Sequence, residues 1–375
     1  MTLRLGIIRD FRAENWPSMD LCADQLLTHL AAVPGVAAID LELPFRRRAT
    51  RLPRIGRTNA AFNLDRLLNR HHDLPQFLCR TSTRPDLFHV VDHSYAHVIH
   101  ALPPGRVGVY CHDLDTFRCL LAPSAEPRPW WFRRIVRRIM TGMRAAAVVF
   151  HSTARVREQI LSHDLANEVN LVHAPLGVAS EFGPDSPGPV ELPCRLDRPF
   201  LLHVGGNIPR KRLDVLLDVF AAVRPRAPGA RLVQVGGPWP AALADQVRLL
   251  GLADDVTQLQ ALTRPQLAEL YRRATAVLVT SEAEGFGLPV IEALACGAPV
   301  IASDIPVLRE VGGDAVVYCP VAEVSAWATA VLRALADPLS APPRARRLAH
   351  AAQFSWAAHA RVIGETYRQI GRDRA

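Results

Sequence analysis

The 375-residue chain reads as an α/β protein built from two doubly wound, Rossmann-like domains. Three observations predict this. Short apolar runs of strand length, such as residues 200–204 and 276–279, alternate with amphipathic helical runs in both halves. Two of these runs lead into glycine-rich turns that open helices, at residues 205–212 and 284–288. The length also suits two domains of ordinary size.

Composition narrows the function. Hydrophobic residues make up 49%, enough for two cores. No run approaches the roughly 20 apolar residues of a membrane span. The opening residues 1–10 read as a first strand and not as a signal peptide, so the expectation is a cytoplasmic protein. Seven cysteines are scattered without metal-ligand spacing and read as reduced thiols. The net charge of +8 suits phosphorylated ligands, anionic lipid surfaces or nucleic acid, but no nucleic-acid motif accompanies it, so no nucleic-acid partner is expected. Lys211 is the sole lysine among 44 strong cations. One lysine surviving a bias towards arginine suggests a place that prefers a compact ammonium to a planar guanidinium.

In chain order, residues 3–8 form a strand and residues 18–30 a helix with Ser18 as its cap. Residues 36–43 form the second strand. Residues 44–84 carry ten arginines, Arg84 the last, interleaved with apolar residues such as Phe45 and Ile55. A solvated helix face plus loop is the favoured reading there, and contact with an anionic membrane surface the other. Residues 85–91 and 106–110 are two buried strands, and the second runs into Cys111-His112-Asp113-Leu114-Asp115. In a parallel sheet, residues just past a strand's carboxyl end face the ligand crevice, which makes His112 the site candidate of this half. Residues 129–143 have helical spacing, with Arg133, Arg134, Arg137 and Arg138 on one face and Phe132, Val136, Ile139 and Met143 on another. Trp130 and Trp131 could anchor that helix at an interface, though ordinary packing is favoured. Residues 145–150 form a strand, residues 154–162 a helix, and residues 169–172 a strand ending in a turn at 173–178.

The Pro/Gly-rich residues 183–193 read as the hinge, giving domains 1–182 and 196–375 with a linker at 183–195. Residues 200–204 start the second sheet. Gly205-Gly206-Asn207-Ile208-Pro209-Arg210-Lys211-Arg212 then leads into a helix at 213–223, an arrangement suited to phosphate. Strands follow at 231–235, 256–259, 276–279, 299–302 and 315–318, with helices at 263–273, 289–295 and 321–336. Residues 348–370 hold the final helix, capped by Ser355.

The most informative stretch is residues 280–311. Glu284 and Glu292 bracket the turn Gly285-Phe286-Gly287-Leu288-Pro289. Glycines let the backbone approach a ligand, and the free N–H groups of a helix start favour an anion such as a diphosphate. A carboxylate beside a phosphate makes sense if it accepts hydrogen bonds from sugar or ribose hydroxyls. Two acids around such a turn suggest a sugar nucleotide; a surface loop with two solvated glutamates is the bland alternative.

The run SEAEGFGLPVIEALACGAPVIASD, with seven residues between Glu284 and Glu292, resembles the signature of the retaining GT-B glycosyltransferases of family 4, often called group 1. The resemblance extends over most of the chain and is closer in the C-terminal half. It implies two Rossmann-like domains facing a cleft, with the final helix crossing back to pack on the first domain. The donor, a nucleotide-diphosphate sugar such as GDP-mannose or a UDP-sugar, would sit on the second domain. The acceptor, a glycan or lipid-linked molecule of surface polysaccharide synthesis, would sit on the first, with peripheral contact at the inner membrane face. It also implies that Lys211 and Arg210 clamp the diphosphate, and that Glu292 holds the ribose and Glu284 the donor sugar. The backbone of Gly285, Phe286, Gly287 and Leu288 would cradle sugar and phosphate, with His112 lining the reacting face and backbone near Leu262 reading the base. The chain departs from the family in having no Gly-Gly pair at residues 9–17, and N–H groups around Ser18 and Met19 are the expected substitute. Asp113-Leu114-Asp115 has a metal-binding spacing but falls inside the family's HDL-type turn, so no metal or other cofactor is expected. A sugar-nucleotide epimerase and a non-catalytic nucleotide-sugar-binding subunit stay as alternatives.

Overall fold

Runs rich in Val, Leu and Ile form strands buried on both faces, as parallel sheets covered by helices require. The computed structural model describes residues 2–54, 56–81, 83, 85–186 and 188–372. Ile55, Arg84 and Pro187 lie outside the described residues. The chain divides into two units, Met1–Leu176 with Trp356–Ala375, and Gly177–Ser355.

The first unit holds β1 (Leu3–Ile8), β2 (Val36–Asp40), β3 (Leu87–Val90), β4 (Val107–Cys111), β5 (Val148–His151) and β6 (Leu171–His173). They form one six-stranded sheet in the order β2-β1-β3-β4-β5-β6. Every pairing is parallel. The second unit holds β7 (Phe200–Val204), β8 (Arg231–Val235), β9 (Val256–Leu259), β10 (Ala276–Val279), β11 (Val300–Ser303) and β12 (Val317–Cys319). Its order is β12-β11-β10-β7-β8-β9, again all parallel. Counted from β7, this is the 3-2-1-4-5-6 order of a doubly wound nucleotide-binding sheet.

Several sequence boundaries move. The first helix runs Pro17–Leu30 and has no side-chain cap from Ser18. Proline takes the first turn, where its missing N–H costs nothing. The Met19 N–H bonds the carbonyl of Trp16 at 2.9 Å, so it is already engaged. The final helix expected after Ser355 is Trp356–Arg372, and a separate helix, Arg344–Ala351, precedes it. Residues 183–195 lie within the second unit, where Arg272 donates to the Gly183 carbonyl and Gln266 to that of Glu191. The chain instead crosses between units after Leu176 and after Ser355. Val178 and Ser355 form a β-bridge beside these crossings.

In the basic segment Arg46, Arg47, Arg51, Arg54, Arg57 and Arg80 are exposed, as a solvated face requires, while other arginines are committed to buried acids. Arg70 is buried and forms a two-pronged bond to Glu14, at 2.6 and 2.7 Å. Arg48 grips Asp73 in the same way, at 2.7 and 2.9 Å. Asp65, fully buried, accepts the N–H groups of Arg48, Ala49 and Thr50 and the Thr50 hydroxyl. The helix Trp130–Arg144 buries Val136, Ile139, Met140 and Met143, while Trp130 and Trp131 stay exposed. Among the described residues no helix is long and apolar enough to cross a membrane.

The helix Trp356–Arg372 belongs to the first unit. Its Tyr367 is buried, and its hydroxyl bonds His89 Nδ1 at 3.0 Å. Gly108 leaves the room: a Cβ there would strike that hydroxyl and Val148. Replacing Tyr367 by Phe strands a buried imidazole nitrogen and should cost about 1–2 kcal/mol. Urea denaturation should show a lower midpoint at unchanged slope.

Candidate functional site

Strand order in the second unit reverses between β7 and β10. Loops leaving such neighbours diverge and open a crevice at the strands' carboxyl ends. The two loops here are residues 205–212 and 280–287, and the chemistry-bearing residues predicted in this half fall on them or just beyond.

The loops are stitched together. The Glu282 N–H bonds the Arg210 carbonyl at 2.8 Å. The Thr280 hydroxyl bonds the Lys211 carbonyl at 2.9 Å. Arg212 takes a left-handed conformation (φ 50°), ends the short turn Pro209–Lys211 and opens the helix Leu213–Val223. Its guanidinium pairs with Asp214 at 2.9 Å and Glu282 at 3.1 Å. This backbone turn aims Lys211 inward and lays Arg210 along the facing loop, where it donates to the Ala283 carbonyl at 3.2 Å.

Lys211 Nζ then meets Glu284 Oε1 at 2.5 Å, and the Ser281 hydroxyl donates to the same oxygen at 2.6 Å. Arg210 approaches the other carboxylate oxygen at 3.6 Å. The Glu284 side chain is 5% exposed. Burial alone would raise its pKa, but Lys211 and Arg210 outweigh burial and hold it below the usual carboxylate range. His203, buried beside Gly205, is pushed down to about 3 by burial and by Lys211, so it adds no competing cation.

Past Glu284 the turn closes on a helix. Gly287 has φ 100°, a conformation that suits glycine, and a Cβ there would lie 2.9 Å from Leu308. It precedes the helix Leu288–Ala295, which starts one residue earlier than expected, with Pro289 in its first turn. Phe286 is buried and sits edge-on to Phe354. Gly285 leads into this turn. Glu292 lies one turn into the helix and is buried, and the Tyr271 hydroxyl donates to it at 3.0 Å. Burial pushes the Glu292 carboxyl up to about 7, with Tyr271 and Arg264 opposing and Glu181 adding to the rise. So two glutamates eight residues apart differ in charge state: Glu284 is anionic, and Glu292 titrates near neutrality.

In the first unit His112 follows β4 directly. Its Nε2 lies 2.9 Å from the Val91 carbonyl, and its ring sits against Tyr110. Burial lowers its pKa; Asp92 and Asp113 pull the other way, and His93 adds to the lowering. Asp113 accepts the Asp115 N–H at 3.0 Å. The structure therefore gathers Lys211, Arg210, Glu284 and the 285–288 turn at one switch point, with Glu292 one helical turn beyond, and places His112 in the other unit.

Sequence reasoning missed Ser281, Tyr271, Asp10 and Asp92. The two aspartates had a legible signal, since each stands two residues past a strand's carboxyl end. Tyr271 had none, because only folding brings its helix against Glu292.

With this geometry in hand, comparison with known proteins gives a consistent result. Residues 190–353 match the family described as Glycosyl transferases group 1. Over 257 residues the chain is 33% identical to a D-inositol 3-phosphate glycosyltransferase of Kineococcus radiotolerans, covering 62% of this chain and 59% of that one. Over 176 residues it is 39% identical to the Segniliparus rotundus protein of the same name, covering 44% and 38%. The matched stretches thus span less than two thirds of these curated relatives. Among solved structures, a sucrose-phosphate synthase from Thermosynechococcus elongatus aligns with TM-score 0.75 at 22% identity, over 99% of this chain and 100% of that one. The Anabaena protein HepE, solved with UDP and glucose, aligns with TM-score 0.72 at 17% identity, over 98% and 100%. At these identities the likeness is one of fold, the GT-B fold.

Two substitutions separate the glutamates. Lys211→Ala leaves Glu284 buried beside only Arg210 and Ser281, and should cost about 3 kcal/mol at pH 7. The depressed Glu284 pKa makes that contribution present above the unfolded carboxyl value and lost as pH falls through the folded one. The stability gap between wild type and Lys211→Ala should therefore close on acidification. Glu292→Gln should do the reverse. Wild type keeps a proton on Glu292 that the unfolded chain releases, so it loses stability as pH rises from about 4.5 to about 7. The Gln variant lacks that slope and should be roughly 3 kcal/mol more stable at pH 8, and equal near pH 4, by chemical denaturation.

Proposed function

We propose that this chain, which carries a glycosyl transferases group 1 domain on a GT-B fold, is a glycosyltransferase that moves a hexose-type sugar from a nucleoside-diphosphate sugar to a hydroxyl of an acceptor. The observation that carries the reading is the buried Lys211–Glu284 pair at the β7/β10 switch point, beside the start of the helix Leu288–Ala295. An ammonium has three donors. Glu284 engages one and fixes the direction of the others, which reach the diphosphate together with Arg210. The N–H groups around Leu288 add their dipole to the same anion.

Catalysis in this reading rests on stabilising the departing diphosphate as its charge grows, by preformed donors in a water-poor crevice and without a metal ion. Glu284 holds donor-sugar hydroxyls with its free lone pairs. Glu292, oriented by Tyr271, accepts the two ribose hydroxyls once ionised. His112 lines the reacting face on the acceptor side. The leaving phosphate takes the acceptor's proton on the face from which the acceptor attacks, so the anomeric configuration is retained. The donor is a UDP- or GDP-sugar. The acceptor is a glycan or lipid-linked sugar, and the names of the curated relatives add a phosphorylated polyol as a second class. The exposed Trp130 and Trp131, next to the exposed arginines of the same helix, support peripheral contact with an anionic membrane.

A thermal-shift screen with UDP, GDP, ADP and their common sugar conjugates tests the reading. One nucleotide series should stabilise the protein, and Lys211→Ala should abolish that shift. With the matching donor, Lys211→Ala should lower transfer by about 100-fold or more. EDTA should leave turnover within about twofold, since no divalent ion takes part. A fully active Lys211→Ala enzyme would sink the diphosphate assignment.

A further inference from the structure

The first sheet has its own switch point, between β1 and β3, and each strand delivers an aspartate there: Asp10 two residues past β1 and Asp92 two residues past β3. Asp10 is 4% exposed, and neither of its carboxylate oxygens has a hydrogen-bond partner among the described residues. The nearby arginines are spent elsewhere. Arg70 forks onto Glu14 and stacks on Tyr95, and Arg66 also pairs with Glu14. Asp10 instead has Asp92 beside it: Ile8 and Val90 are register partners, the Val91 N–H bonds the Ile8 carbonyl at 3.0 Å, and each aspartate follows its strand by two residues, so that Asp92 is the charge that weighs most on Asp10. Asp92 is well supplied: it accepts the Ser94 N–H at 3.0 Å and the Ser94 hydroxyl at 2.5 Å, and lies 3.1 Å from His93 Nδ1. Its charge also acts on His112, one strand further along the sheet.

Two carboxyl groups in buried contact cannot both ionise, and without a donor from elsewhere one must supply the proton. We propose that Asp10 and Asp92 hold a single proton between them, carried by Asp10, whose O–H bond keeps Asp92 as the anion that holds His93 and sets the charge of His112. Asp10 is then a positioning residue acting through Asp92, and its relevance to sugar transfer rests on the proposed place of His112 at the reacting face.

The surroundings agree. Burial and Asp92 raise the Asp10 pKa well above the ordinary value, with Glu14 adding and Arg70 opposing. Cys22, Tyr95 and Arg66 are further titratable groups that interact with it. Burial would raise Asp92 as well, but its bonds to His93 and Ser94 and the charge of His112 reverse the direction. His93 is itself raised: burial lowers it, and Asp92, Asp113 and Asp115 prevail.

Asn at position 10 is neutral and keeps a donor, so Asp10→Asn mimics the protonated acid; Asp10→Ala removes the donor. Wild type keeps a proton on Asp10 that the unfolded chain loses above about pH 3.9, so its stability declines from there as pH rises. Asp10→Asn should match wild type at pH 4 and melt about 3 °C or more higher at pH 8. An unchanged gap across that range, or an Asn variant less stable at pH 8, would overturn the proposal. The second readout is the His112 imidazole, followed by NMR on histidine-labelled protein and assigned with His112→Gln. Its titration midpoint should stay within about 0.3 units in Asp10→Asn, rise in Asp10→Ala as the Asp92 charge loses its donor, and fall by about one unit in Asp92→Asn. An Asn variant that shifts His112 as far as Ala does would remove the donor role. Neither readout uses sugar transfer, so a failed nucleotide screen and a failed proton-sharing test remain distinguishable.

Discussion

The Lys211–Glu284 ion pair is the contact on which the second unit's site depends. It ties the loop after β7 to the loop after β10, the two neighbours at which the strand order turns around. Burying the pair costs solvation that Coulomb attraction alone does not return. The remaining stabilisation comes from hydrogen bonds that fill the same carboxylate, chiefly the Ser281 hydroxyl, and from Arg210 alongside. An ammonium suits this position because its charge is compact and its donors rotate. The same inward turn puts Arg212 at positive φ, held by Asp214 and Glu282. The site is thus strained at one backbone position and fixed by ion pairs on either side.

Both units place their chemistry by one rule. Parallel strands all end on the same edge, and where the winding direction changes no crossover helix covers that edge. In the second unit this gives the 205–212 and 280–287 loops; in the first it gives Asp10 and Asp92. The two edges differ in charge. The second gathers cations around one carboxylate, which suits a polyanionic ligand. The first gathers carboxylates and imidazoles, which suits hydroxyl groups and proton-dependent hydrogen bonding.

Buried acids show how tertiary contacts override residue type. Glu284 and Glu292 are chemically identical and belong to one motif. Lys211 keeps the first ionised, while burial, only partly offset by the Tyr271 hydroxyl and Arg264, leaves the second poised near pH 7. Arg70 reads as part of a basic surface run, yet it is buried on Glu14, 56 residues away in sequence.

Local signals were sufficient for the alternation of strands and helices, the glycine turn that needs φ 100° at Gly287, and the lone lysine in a phosphate-type loop. These depend on backbone conformation and on patterns a few residues long, which a sequence carries directly. What lay beyond reach were pairings between distant segments. The chain crosses between units after Leu176 and Ser355, not in the Pro/Gly-rich 183–195 stretch, because flexibility in composition does not reveal which side chains later tie a segment down. Likewise the partners of each acid are decided by tertiary packing: Lys211 for Glu284 and Asp10 for Asp92 by which strand ends meet at a switch point, and Tyr271 for Glu292 by which helices pack together. The sequence supplied the charged groups and the turns that present them; folding alone set their distances and burial, and therefore which of them carry charge.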